Sequence, residues 1–182
     1  VSLPPLRTST AGALASLAGR LPDALQLLAE VLREPAFPEG EVTRLREERL
    51  AELLQQRTEP RGLADDMFAR FCFSAASRYA RSEGGDEETV ARLTRDAVVA
   101  HHAHFIVPSR SRLIVVGDVD VDGVMQLAES ALGTWQATGA TSPAVEVTPA
   151  QAHRQVHLVA KADAPQSELR VGHPSVTRAH PD

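Results

Sequence analysis

A chain of 182 residues, 43% hydrophobic and 24% charged, is long enough to bury one good core and too apolar to be disordered throughout. Its net charge of −5 and lack of any basic cluster argue against nucleic acid or an anionic membrane as the main partner, because phosphate binding needs a basic face. The single cysteine, Cys72, excludes an internal disulfide framework and is compatible with a reducing compartment such as the cytoplasm.

The chain opens without Met, in "VSLPPLRTST", which fits a processed, trimmed or truncated end. Residues 1–30 lack the basic start and apolar run of a signal peptide, and no apolar stretch reaches membrane-spanning length. Pro22 suits a first helical turn, and Leu21, Leu25, Leu28 and Leu32 recur on one face, so a helix is predicted over about 20–33. A second helix is predicted from Pro38 to about Arg57, with Val42, Leu50 and Leu53 inward, alternating charges outward and Pro60 placed to stop it. "RGLADDMFARFCF" sets Leu63, Met67 and Phe71 on one side of a third helix. The stretch "SAASRYARSEGGDEE" reads as a loop. Thr94 offers an N-cap to a helix running through Phe105, which Pro108 ends.

"SRLIVVGDVD" has the composition of a strand buried on both faces. Asp120 is a candidate N-cap for a helix carrying Val121, Val124, Ala128, Leu132 and Trp135. Residues 137–152, rich in Ala, Thr and Pro, read as a linker, and "RQVHLVAKAD" and "QSELRVGHP" alternate like two short strands. This order of elements implies α+β or α/β layers.

Histidines supply the only hint of metal chemistry. "HRQVH" places His153 and His157 four apart, the spacing of two zinc ligands on a helix. On a strand the same pair is about 13 Å apart, too far to share one ion. In "HHAHF", His101 and His104 are three apart on a predicted helix, with no third ligand evident; the simpler reading packs His101 and leaves the others solvated. Cys72 lies between Phe71 and Phe73, which favours an inert packed thiol, and Gly117-Asp118 after the strand is too little for a nucleotide fold. Gly-x-Ser-x-Gly, Cys-x-x-Cys and phosphate-binding glycine loops are absent.

Three stretches in order resemble one family. "LPDALQLLAEVLREPAFPEGEVTRLREERLAELLQQRTEP" resembles the helix pair of the insulinase/pitrilysin (M16) zinc metallopeptidases, "ETVARLTRDAVVAHHAHFIVPSRSRLIVVGDVD" their helix-turn-strand ending in Gly-Asp, and "APQSELRVGHP" the start of their second domain. The resemblance implies an α+β roll with helices on one face of a mostly antiparallel sheet, incomplete in this chain. It also implies domains: residues 1–136 as the later part of a first M16-like domain, 137–152 as a linker and 153–182 as the opening strands of a second. In active members a His-x-x-Glu-His helix supplies two zinc ligands and the general base, and a later glutamate completes the site. Ungapped alignment to Pro60 puts that glutamate at Glu52, for which an ordinary surface acid is the competing reading.

No His-x-x-Glu-His occurs in these residues. The expectation is therefore zinc in the active parent and none bound to this chain, with no catalysis by the chain alone. A peptide or protein would be the parent's substrate, and another M16 subunit a homo- or hetero-oligomeric partner; nucleic acid and membrane are not expected. A truncated active peptidase and a naturally inactive partner subunit read alike, while an unrelated α/β binding domain predicts a self-sufficient sheet. Open strand edges would make the isolated chain self-associate. Arginine in place of lysine, Lys161 being the only one, suits a GC-rich bacterial source.

Overall fold

The structure, a computed structural model, describes residues 10–136, 153–162 and 164–175. Its helices are α1 (Leu21–Arg33), α2 (Glu39–Thr58), α3 (Pro60–Cys72), α4 (Glu87–Ala91), α5 (Arg95–Phe105) and α6 (Val121–Leu132), with 3-10 turns at Ala18–Arg20, Arg78–Ala80 and Pro108–Arg110. The chain divides into two compact units, one of Val1–Thr43 with Leu93–Ser142 and one of Arg44–Arg92 with Pro143–Asp182.

In the first unit the leucine spacing of α1 does what it predicts. Proline stands in the first turn, Asp23 and Arg33 suit the two ends of the helix dipole, and Ala24, Leu25 and Ala29 are buried. Leu25 and Ala29 meet Ala131 of α6, and Leu21, Leu28, Leu127 and Leu132 close around them. The small residues at 29 and 131 let the helices approach, while Leu25 fills the space between. Arg33 Nη1 adds a hydrogen bond to the Ala131 carbonyl at 3.4 Å. Both predicted N-caps are made: the Thr94 hydroxyl accepts from the Ala97 N–H at 3.2 Å, and the Asp120 carboxylate from the Gly123 N–H at 2.9 Å.

The turn between α1 and α2 is held by α5. Phe37 has φ 42°, a left-handed conformation uncommon for a bulky residue. Arg95 donates to the carbonyls of Phe37 (2.8 Å) and Ala36 (3.4 Å), and His102 Nε2 donates to the Leu32 carbonyl at 2.9 Å. The Phe37 ring meets His102 edge-on at 5.5 Å.

In the second unit Leu53 of α2, Ala80 and Val90 are buried, with the Ser77 hydroxyl enclosed and accepting from the Tyr79 N–H at 3.3 Å. The Arg78–Ala80 turn packs on α3. The expected 74–88 loop contains a helix. Gly85 takes φ 76°, and Asp86 and Thr89 then form a capping box that starts α4: the Asp86 carboxylate accepts from the Thr89 N–H at 2.8 Å, and Thr89 Oγ1 from the Asp86 N–H at 3.1 Å. The Thr89 N–H and the Thr89 hydroxyl, both donating to the Asp86 carboxylate, hold that carboxyl below its usual range.

The expected α+β roll is not what the described residues form. Among them there is no strand and no sheet, only isolated bridge residues at Thr10, Ala13 and Phe73. Residues 111–116, expected to be a strand buried on both faces, lie outside helix and ladder, and Val116 is 91% exposed. The stretches 154–163, of which 154–162 are described, and 166–174 likewise form no ladder among the described residues. An apolar, β-branched run reports compatibility with a pleated surface, but a strand exists only when another segment pairs with it, and none of the described residues does so. The expected linker, 137–152, lies outside the described residues.

Candidate functional site

Glu52, the residue to which the resemblance assigns a metal role, stands on α2 next to the buried Leu53, with its side chain 56% exposed. One helical turn away, Arg49 Nη1 donates to its carboxylate at 2.8 Å. Arg49 Nε also donates to the Gly84 carbonyl at 3.0 Å, so a single guanidinium ties α2 to the loop before α4 and engages Glu52. Gly84 makes this possible, because a Cβ there would collide with the guanidinium. Glu48 is engaged similarly, with Arg44 Nη1 at 2.9 Å. Exposed pairs of this kind contribute little to stability, but they determine which cation each carboxylate faces.

A zinc site needs three or four such donors converging within about 2.3 Å. Among the described residues no group of three or more His, Cys, Asp or Glu side chains is placed to hold a metal ion. Glu52 alone, facing Arg49, does not fit zinc.

The structure scatters the histidines. His101 and His104 both lie against the Phe105 ring, at 4.6 and 4.5 Å, and Arg110 stands 5.4 Å over the same ring. The half-buried member of the cluster is His102 and not His101, correcting the expectation that His101 packs. The signal was present, since His102 follows Val98, also half-buried, by four residues. His157 stacks on Phe71 of α3, ring centroids 3.8 Å apart and planes within 5°, while His153 is exposed. Cys72 is half-buried, and burial pushes its thiol up, away from the reactive thiolate.

The groups that bind residues 164–175 to α3 carry no signal in the sequence. Arg170 Nε donates to Asp65 at 2.6 Å and its Nη1 to Glu168 at 3.0 Å. The hydrogen bond from Arg170 holds the Asp65 carboxyl below its ordinary value near 3.8, with the charges of Arg170 and Arg61 acting the same way against a smaller desolvation effect. A depressed folded-state value means that the contact stabilises the fold above the ordinary carboxylate range and loses that contribution as pH falls through the depressed value. Protection of residues 164–175 from proteolysis should therefore be constant from neutral pH down to about 5 and fall below 4. Asp65→Asn should remove that acid step; a step of unchanged size in the variant assigns it elsewhere.

The comparisons with known proteins bear on this arrangement. The family model described as the peptidase M16 inactive domain matches residues 92–182. No curated protein matches the chain. Among solved structures, the crystal structure of a peptidase M16 inactive domain from Pseudomonas fluorescens is similar at 23% identity and TM-score 0.66, covering 73% of this chain and 32% of that one. A chain of complex III2 from Candida albicans, with Inz-5 bound, is similar at 16% identity and TM-score 0.58, covering 74% and 32%. At these identities the likeness is one of fold, and the chain spans about a third of the length of either structure.

Proposed function

Because the chain belongs to the M16 peptidase family, whose inactive-domain model spans its second half, we propose that it is a non-catalytic portion of an M16-type peptidase, contributing scaffold and substrate contact instead of reacting groups. One observation carries this reading: the matching model is that of the inactive domain, and no His-x-x-Glu-His occurs anywhere in the 182 residues. In this reading residues 1–136 are the later part of a first M16-like domain, 137–152 a linker and 153–182 the opening of a second. The zinc and its histidine helix belong to another part of the parent, and peptides or proteins are the substrate class. Glu52 is the position equivalent to the distal carboxylate ligand of active members, and its ion pair with Arg49 supports a position that holds no metal in this chain.

A second reading makes the whole parent a non-catalytic subunit that binds substrate or builds an assembly. The fold likeness to a chain of complex III2 favours it. The sequence upstream of Val1 separates the two readings, because a His-x-x-Glu-His there assigns the parent to the enzymes.

The purified 182 residues are expected to show no zinc-dependent cleavage of unstructured peptides above a metal-free control. Turnover that zinc restores after chelation, and that Glu52→Gln abolishes, would contradict the assignment.

A further inference from the structure

Glu52 does not fit zinc, and its surroundings give it a different role. Arg49, Leu53 and Arg57 follow one another four residues apart on one face of α2, with Leu53 buried between the two arginines. Each arginine reaches the segment around α4. Arg49 Nε donates to the Gly84 carbonyl at 3.0 Å, and Arg57 Nη1 to the Glu87 carboxylate at 2.8 Å, so the segment is pinned to α2 at residues 84 and 87. Glu52 enters this arrangement through Arg49, accepting from its Nη1 at 2.8 Å.

The residue types suit the task. A guanidinium is planar and carries donors along its edges, so Arg49 can hold a carbonyl with Nε while a carboxylate holds its Nη1; a lysine ammonium has no such fork. Gly84 comes so close that a Cβ there would collide with the guanidinium. A long side chain loses rotamer freedom when it is fixed, and a carboxylate one turn along the same helix fixes Arg49 in place for the carbonyl.

We propose that Glu52 is a positioning residue in an electrostatic clasp: its carboxylate orients Arg49, and Arg49 and Arg57 together hold residues 84–91 on α2. That Glu52 stands where active members place a zinc ligand rests on the reading above; the clasp does not. A position that serves a metal ion elsewhere in the family serves a neighbouring loop here.

Hydrogen exchange of the 182-residue chain tests this. The reporting amides are Gly85, which donates to the Ser82 carbonyl, and Thr89, which donates to the Asp86 carboxylate. In the wild type their exchange should quicken about threefold between about 0.05 and 1 M salt, because exposed ion pairs are screened. Glu52→Ala should quicken it about two- to fivefold at low salt and weaken the salt dependence, and Arg49→Ala about tenfold. Glu52→Gln, which keeps an acceptor oxygen without the charge, should fall between wild type and Glu52→Ala. Glu48→Ala, which removes the partner of Arg44, should leave both amides unchanged, and the amides of α1 and α6 should stay as they were in every variant. Exchange that is independent of salt in the wild type and unaltered by Glu52→Ala overturns the clasp while the family reading stands. Added zinc that slows the two amides in the wild type but not in Glu52→Ala makes Glu52 a ligand and overturns both.

Discussion

Leu25→Ala is expected to lower the stability of the first unit by about 2–5 kcal/mol. Leu25 is the large side chain in the buried cluster it forms with Ala29 and Ala131, and the other leucines of that cluster are only partly covered. Truncation removes the transfer free energy of a buried isobutyl group and leaves a gap between α1 and α6 that two alanines have no atoms to fill. Leu27, two residues along the same helix, is half exposed and makes the comparison sharp. Leu27→Ala should change stability by no more than about 0.5 kcal/mol. Urea unfolding followed by hydrogen exchange of the α1 and α6 amides reads both variants. Similar losses in the two would mean that the α1–α6 contact is not the core of this unit.

Arg95→Ala should cost about 2 kcal/mol, within the usual range for hydrogen bonds to a charged group. Arg95 donates to two successive carbonyls in the turn before α2, the second belonging to Phe37 in its left-handed conformation. Without the guanidinium, the Phe37 carbonyl loses its donor and the turn loses the contact that holds an unfavourable backbone geometry. Lysine carries the charge but not the fork, so Arg95→Lys should restore only part of the loss. Protease cleavage between Glu34 and Pro38 is expected to rise in the order wild type, Lys, Ala. Equal cleavage in all three would show that the geometry is set by the turn itself.

The helices were legible because their information is local. The leucine spacing of α1, the proline in its first turn, Pro60 just past the end of α2, and the caps Thr94 and Asp120 each act within one or two turns. The short helix α4 escaped notice because its capping box has Thr89, where the usual signature carries Glu or Gln, and because Gly84-Gly85 reads as a turn. The strands were misjudged for the opposite reason. "LIVV" declares a preference, but pairing depends on a distant segment, and the alternating stretches 154–162 and 166–174 lie against α3 through His157 and Arg170 without forming a ladder.

The candidate site was half legible. Resemblance picked out Glu52, which the structure places next to the buried Leu53. What faces Glu52 was not readable, because Arg49 is oriented by a carbonyl thirty-five positions later in the chain. His102 was legible in principle from the half-buried Val98 four residues earlier.

Gly84 has a consequence for evolution of this surface. The residue with no side chain leaves the volume into which the Arg49 guanidinium folds, so a replacement there makes Arg49 move from its place against the Gly84 carbonyl and alters its geometry towards Glu52. A change in the loop would thus rewrite the charge balance of a helix to which the loop does not belong, making position 84 a remote control on how readily that carboxylate accepts a different cation.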